Sequence, residues 1–461
     1  MSKNKTLDMT TGSLMPKIIR FTIPLALTGL LQLVYNAADM MVVGRYAGSI
    51  YLAAVGATSM LVNLTVNLFI GISTGSGVVV AKRIGAGDKD AVHRAVHTTM
   101  LLSLISGTFV MTVGMLLSPQ FLRWMGTPDD IIGLSTTYLR IYFAGAPANM
   151  IYNFGAATLR AGGDSKRPFY FLTASGLINI ALNLLFVIRF NMNVAGVAYA
   201  TIISQYLSAI CIVISLVTSS DSIKLSLNKL RLYKSELAEI LKIGLPAGIQ
   251  GSLFSISNVM IQSSINSFGS TVIAGNTASG NIDGIIYVCC NAVSQASMTF
   301  SSQNLGAKKY DRIGMVFRKC FLLSMIVCAF ICTLFYIFRN MLLGIFTTDP
   351  RVVEAGAVRL TIFTLTYWLD AIMDLLTGQM RGLGKSLSPM AITLAGVVGI
   401  RTVWLFTIFR MRHTLRCLYW SYPVSWVITV AALTVCYIYI YRKNIRPYRL
   451  EAEKHETAGT R

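Results

Sequence analysis

Four aspartates interrupt otherwise apolar stretches of the sequence: Asp39, Asp283, Asp370 and Asp374. A charged carboxylate at the centre of a membrane helix costs about 2.5 to 3.5 kcal/mol on insertion scales, so such residues usually face a protein interior or an aqueous path and carry ions or protons. The alternative, a protonated carboxyl bonded between helices, stays open for Asp39 and more so for Asp283. Asp370 and Asp374 lie one helical turn apart, near enough to repel each other and to share a proton or a cation. Arg401 sits about a dozen residues into another apolar run, too deep to reach a surface comfortably, and one or both of Asp370 and Asp374 are its expected partners.

Amides recur beside these acids at spacings of three and four: Gln32, Asn36 and Asp39; Asn63 and Asn67; Asn149 and Asn153; Asn179 and Asn183; Asn258 and Gln262; Asn291 and Gln295. Each set falls on one helix face. One such pair is ordinary interhelical glue, but repetition over six segments points to a shared wet cavity. His93 and His97 have a spacing that suits a metal, yet no acidic or cysteine partner stands in a known pattern, and a solvated helix start accounts for them. The eight cysteines mostly lie in apolar runs, including Cys289-Cys290 and the pair Cys328 and Cys332, and read as small packing residues. No enzyme activity, metal or cofactor is expected.

The elements that must position these groups are membrane helices. Of 461 residues, 54% are hydrophobic and 13% charged, against roughly 25% charged in a soluble chain. Mean hydropathy is +0.61. Runs of about twenty apolar residues, the length that crosses a bilayer, fall near 18–41, 53–77, 98–118, 134–156, 169–190 and 194–217, then near 238–264, 272–300, 319–338, 357–379, 389–410 and 418–441. A backbone in hydrocarbon must satisfy its own hydrogen bonds, so these twelve runs are expected to be helices. The first lacks a signal-peptide cleavage site and is expected to remain.

The chain also repeats itself. Arg160-Ala161-Gly162-Gly163-Asp164-Ser165-Lys166-Arg167-Pro168 aligns with Arg381-Gly382-Leu383-Gly384-Lys385-Ser386-Leu387-Ser388-Pro389, 221 residues on. Gly85-Ala86 pairs with Gly306-Ala307 at that offset, and Pro24 and Asn36 pair with Pro246 and Asn258 one residue further on. The expected fold is an all-α integral membrane protein, twelve helices in two six-helix bundles related by a pseudo-twofold along the membrane normal, with the binding site between repeats. The expected domains are a first lobe over 1–218, a cytoplasmic linker over 219–237, a second lobe over 238–441 and a cytoplasmic tail over 442–461. The net charge of +21 would suit nucleic acid, but most basic residues fall in alternate loops and the tails. That places both termini in the cytoplasm of a multi-pass plasma (inner) membrane protein. Arg410, Arg412 and Arg416, in the last outer loop, break the pattern.

Over essentially its whole length the chain resembles the multidrug and toxic compound extrusion (MATE) family. The resemblance is carried by Pro24 with Tyr35-Asn36-Ala37-Ala38-Asp39, by Gln250 to Gln262 after Gly244-Leu245-Pro246, by the Arg160 to Pro168 segment, and by Asp370 eleven residues before Arg381. It implies a monomeric secondary antiporter that exports small amphipathic, mostly cationic compounds in exchange for protons or sodium ions. By position it makes Asp39 the coupling acid of the first lobe, with Asn179, Asn183 and Thr201 as neighbours and Asp370 and Asp374 as acids of the second. Tyr35, Asn36, Asn153, Gln250, Asn258, Asp283, Asn291 and Arg401 would line the substrate cavity. Many members carry an aspartate where Asn183 stands, and one acid in place of two favours protons over sodium. At Phe254 to Ser255 some sodium-coupled members place a glutamate that this chain lacks. A lipid-linked oligosaccharide flippase of the same superfamily is the nearest rival; a channel or receptor is the rival of another class.

Overall fold

The computed structural model describes residues 7–219 and 222–448; the expected tail beyond 448, residues 1–6 of the first lobe and residues 220–221 of the linker lie outside them. Among the described residues all regular structure is helical. The first repeat holds α1 (Leu14–Val42), α2 (Ser49–Gly85), α3 (Lys89–Trp124), α4 (Asp129–Ala144), α5 (Ala146–Ala161), α6 (Lys166–Leu184) and α7 (Asn193–Val217). The second holds α8 (Lys234–Asn266), α9 (Ser270–Gly306), α10 (Tyr310–Ile337), α11 (Arg339–Gly344), α12 (Pro350–Gly382), α13 (Leu387–Thr393), α14 (Ile400–Phe406), α15 (Ile408–Met411) and α16 (Leu415–Asn444). π-helical turns extend α1 through Val43–Ala47 and α6 through Leu185–Arg189, and a third, Leu394–Gly399, joins α13 to α14.

Nine described helical segments are long and apolar enough to cross a bilayer. Three more complete the twelve. α4 and α5 form one span broken at Gly145, where a Cβ would sit 2.6 Å from the Gln205 and Ile202 side chains and where Pro147 opens the next helix. α8 and α9 have 33 and 37 residues, ample length at about 1.5 Å per residue, but their amides and Asp283 lower the hydropathy.

The repeat extends to the backbone. α2, α3, α4 and α6 start at residues 49, 89, 129 and 166, and α9, α10, α12 and α13 at 270, 310, 350 and 387, a constant offset of 221. Left-handed backbone recurs at the same interval: Gly48 and Gly269, Gly87 and Lys308, Gly163 and Gly384. Glycine takes that conformation without steric cost, which explains why it stands in the repeated Arg160 and Arg381 motifs.

Contacts divide the described chain into two compact units, one of residues 7–8 and 23–248, the other of residues 9–22 and 249–448. The division falls inside α1 and α8, two residues from Pro24 and Pro246, rather than in the expected linker. Within the first unit, the early turns of α8 pack on α2 at glycines: a Cβ on Gly75 would lie 2.5 Å from the Ile240 carbonyl oxygen, and one on Gly244 2.6 Å from the Ile72 Cα. Lys82 pairs with Glu239 at 2.7 Å, and Arg83 with Glu239 at 2.9 Å and with the buried Glu236 at 3.2 Å. Within the second unit, Phe21 meets Phe300 edge to face, Asn304 donates to the Met9 carbonyl at 3.1 Å and Lys309 to that of Thr10 at 2.9 Å.

One sequence feature changes meaning here, and a second, a hydrolase-like pattern, proves to serve packing. His97 is fully buried, not solvated: its Nδ1 lies 2.7 Å from the His93 carbonyl oxygen and its Nε2 3.1 Å from the Ser226 nitrogen, so it docks the linker on α3. Gly71-Ile72-Ser73-Thr74-Gly75 matches the Gly-x-Ser-x-Gly pattern of hydrolases, which needs its serine on a strand-to-helix turn. Here it runs through the middle of α2, its glycines serve packing, and Ser73 donates to the Ile70 carbonyl at 2.8 Å.

Candidate functional site

Each unit encloses a polar cavity. That of the first has a volume of about 560 Å³, and the amide stripes supply much of its wall: Gln32, Asn36 and Asp39 from α1, Asn63 and Asn67 from α2, Asn149 and Asn153 from α5, and Asn179 from α6. Tyr35, Tyr138, Tyr142 and Thr201 add to the polar surface. Four of the six amide stripes thus meet in this cavity, while Asn258 and Gln262 line that of the second unit and Asn291 and Gln295 line neither, so the single shared cavity expected from the six stripes is corrected to two.

Among the described residues Asp39 is the one acid lining this cavity. It is held from behind by Asn183, whose side-chain nitrogen donates to Asp39 Oδ1 and also to Asn179 Oδ1 at 3.1 Å. Asn183 is 1% exposed and does not itself line the cavity. The acid thus meets an amide rather than a fixed cation, so its charge stays available for exchange with a mobile one. Both helices that carry this pair end in the π turns described above, four and two residues on; wide turns of this kind concentrate at functional sites. Tyr35 donates to the Thr173 carbonyl at 3.3 Å, its ring lying against Gly176, which leaves room for it. Thr201 faces the cavity but donates to its own helix, at the Val197 oxygen 2.9 Å away.

The cavity of the second unit is smaller, about 370 Å³, and far more charged. Asp283, Asp370, Asp374, Arg359 and Arg401 all line it, with Asn258, Gln262 and Asn276 and an aromatic wall that includes Phe363, Tyr367, Tyr422 and Trp426. Asp283 has a partner that the sequence did not reveal. Arg359 Nη2 lies 2.7 Å from Asp283 Oδ2, and its Nη1 donates to Asn276 Oδ1 at 2.6 Å. Tyr419 donates to the same oxygen at 3.1 Å, and Asn276 in turn donates to Gln262 at 3.1 Å. Arg359 stands ten residues into α12 and reads in sequence as a cation near a helix end; only the fold brings it beside Asp283.

Three expectations are corrected. Arg401 forms no ion pair with Asp370 or Asp374 among the described residues: its Nε donates to Ser425 at 3.1 Å and its guanidinium lies 4.0 Å from the Tyr422 ring centroid. The stack forms because the π turn before α14 and the facing α16 bring an aromatic plane, not a carboxylate, against it. Gln250 does not line either cavity; its Oε1 accepts from Arg381 Nη2 at 2.8 Å, bracing the repeated loop motif. Asn291 lies behind the wall as well, where it donates to Asp374 Oδ2 at 2.8 Å and accepts from Gln295 at 2.8 Å.

A protein-family model described as MatE matches residues 24–185 and again 246–407. The chain is 28% identical over 432 residues to the probable multidrug resistance protein YoeA of Bacillus subtilis, covering 92% of this chain and 93% of the relative. To the multidrug export protein MepA of Staphylococcus saprophyticus it is 23% identical over 436 residues, covering 93% and 94%. Among solved structures, one described as the outward-facing conformation of a multidrug resistance MATE family transporter of the MOP superfamily aligns at a TM-score of 0.88, and a MATE in the bent conformation at 0.87. Each is 21% identical, with 97% of this chain and 100% of that one covered. The fold is that of these structures, twelve spanning segments in two six-helix bundles. With one match over each repeat and most of the chain included, the protein belongs to the MatE family.

Proposed function

We propose that this protein is a plasma-membrane antiporter that exports amphipathic, mostly cationic organic compounds and draws its energy from an inward flow of protons. Asp39 carries the reading: a lone carboxyl on the wall of a hydrated cavity, bonded to an amide and to no fixed cation. When it binds a proton from outside, the negative charge that favours a cationic cargo disappears; when it loses that proton inside, the charge returns. One acid that alternates between the two couples cargo to gradient, provided the cavity is reached from one side at a time. Export as the activity is supported by the likeness to MepA, a multidrug export protein, and multidrug compounds as the cargo by that to YoeA, a probable multidrug resistance protein. Sodium is the second candidate ion. Asn183 turns its side-chain nitrogen, a donor, toward Asp39 and adds no negative charge there, which suits a proton on that carboxyl better than a sodium ion. We read the chain as a monomer with both termini inside the cell.

The test uses everted membrane vesicles with and without the protein, given a cationic dye in the medium, which faces the cytoplasmic side, with an imposed proton gradient or an imposed sodium gradient, the ion concentrated in the lumen. Dye movement driven by the proton gradient and lost in Asp39→Asn supports the reading. Equal movement in wild type and Asp39→Asn contradicts it, and movement driven by sodium alone transfers the coupling to the other ion.

A further inference from the structure

The end of the second unit away from the Arg381 motif carries basic residues that neither cavity uses. Arg339 opens α11, Arg410 and Arg412 are exposed just before α16, and Arg416 is exposed in its first turn. On the orientation proposed above this is the outer side, where cations are normally sparse. Arg339 and Arg416 stand at the rim of a groove of about 980 Å³ lined by α11, α12 and α16. Among the described residues Arg416 has no hydrogen-bond or ion-pair partner. Arg339 donates to the Tyr336 carbonyl at 2.8 Å and stacks on the Tyr336 ring, 4.8 Å from its centroid. Neither arginine forms an ion pair with Glu354, which lines the same groove one turn into α12. Below the rim the lining turns apolar: Val353, Ala357, Val358, Ile362 and Leu365 share one face of α12, and Trp420 stands one turn beyond Arg416 on α16. Leu365 is 58% and Trp420 49% exposed, so the groove is open on the side where lipid lies. From Pro350 to Leu365 the α12 wall spans about 22 Å at the helical rise, enough to follow a chain through the roughly 15 Å of hydrocarbon in one leaflet.

We propose that this groove is a binding site for an anionic phospholipid, phosphatidylglycerol, with the phosphate between Arg339 and Arg416 and one acyl chain lying along α12 as far as Leu365 and Trp420. Guanidinium groups take phosphate oxygens through paired, charge-assisted hydrogen bonds, and basic pockets at the membrane surface select anionic headgroups. Arg339, Arg416 and Glu354 together carry a single positive charge, opposite to that of the phosphatidylglycerol headgroup. Glu354, an acceptor, suits the hydroxyls of the glycerol. Phosphatidylcholine brings the same phosphate with a fixed cation that cancels it and no donor for Glu354, so it leaves the charge of the rim unmatched. The site is separate from both cavities and stands whether or not export is coupled to protons; only its leaflet depends on the orientation proposed above.

Trp420 reports the occupant. Purified full-length protein is placed in phosphatidylcholine nanodiscs that contain a minor share of phosphatidylglycerol, phosphatidylcholine or phosphatidylethanolamine with brominated acyl chains, which quench tryptophan on contact. The signal from the groove is the difference between each protein and its Trp420→Phe counterpart. In the wild type, phosphatidylglycerol should quench with a relative affinity at least fivefold above that of the other two lipids, and the preference should weaken at high salt. The ratio should fall to near one in the double variant Arg339→Ala and Arg416→Ala, and stay above twofold in Arg339→Lys with Arg416→Lys, which keeps both charges. If the double alanine variant yields no monodisperse protein, Arg416→Gln at its exposed position decides, and should lower the ratio at least twofold. Equal quenching by the three lipids in the wild type, or a preference undiminished when the arginines are removed, overturns the site. Phosphatidylethanolamine binding as tightly as phosphatidylglycerol overturns the choice of an anionic headgroup.

Discussion

At the residue scale the proposed coupling rests on one carboxyl, Asp39, and on the amide bonded to it. Asp39→Asn preserves size and removes the exchangeable charge, so dye export against a gradient should fall at least tenfold in initial-rate assays while the protein still reaches the membrane. Asn183→Ala removes the donor behind the carboxylate. A hydrogen bond to a charged group contributes about 1.5 to 3 kcal/mol, and the expected outcome is export reduced severalfold with the dye affinity of the first cavity altered less. Asn183→Asp tests the choice of ion: a second carboxylate beside Asp39 should give export a sodium dependence that the wild type lacks, measured by replacing sodium with choline. Asp39 was legible in the sequence because an acid in an apolar run has few explanations. The Asp39–Asn183 bond was not, since 144 residues separate the partners and spacing fixes a helix face, not its neighbour.

Among the elements, α8, α9 and α12 show what pattern alone withholds. α8 and α9 were placed as spans by length although their polar faces weaken the apolar signal, and those faces are what build the second cavity. The Asp283–Arg359 pair joins α9 to α12 inside that wall. Removing one partner of a buried pair strands the other, at about 3 to 5 kcal/mol. Arg359→Ala and Asp283→Ala should therefore each lower thermal stability in detergent markedly, and the double variant should recover part of the loss; additive losses would show that the pair is not coupled. The start of α8 belongs with α2 for reasons of close approach. Gly75→Leu should block that packing and abolish accumulation of folded protein, seen as loss of the monodisperse peak on size-exclusion chromatography. The expected boundary at 219–237 missed this, because a polar loop is visible in composition and a glycine contact between distant helices is not.

For the molecule as a whole, one frame is used twice with different chemistry. At the constant offset of 221, Asp370 and Asp374 stand where the first repeat has Asn149 and Asn153, and Arg359 where it has Tyr138. The repeat and the twelve spans could be read from sequence because they follow from hydropathy and period; the division of the amides and of the charge between two cavities could not, since it rests on which faces meet. One cavity keeps a single acid for exchange, and the other concentrates charge of both signs against aromatic rings. The proposed antiport would make the first of these the coupling site, and proton movement tests that most directly. Proteoliposomes containing a pH-sensitive dye, given a cationic substrate on the side from which it is carried, should show proton counterflow in step with substrate movement for the wild type and none for Asp39→Asn. Proton counterflow that persists undiminished in Asp39→Asn, or substrate movement in the wild type with no proton movement at all, would contradict the coupling role assigned to Asp39.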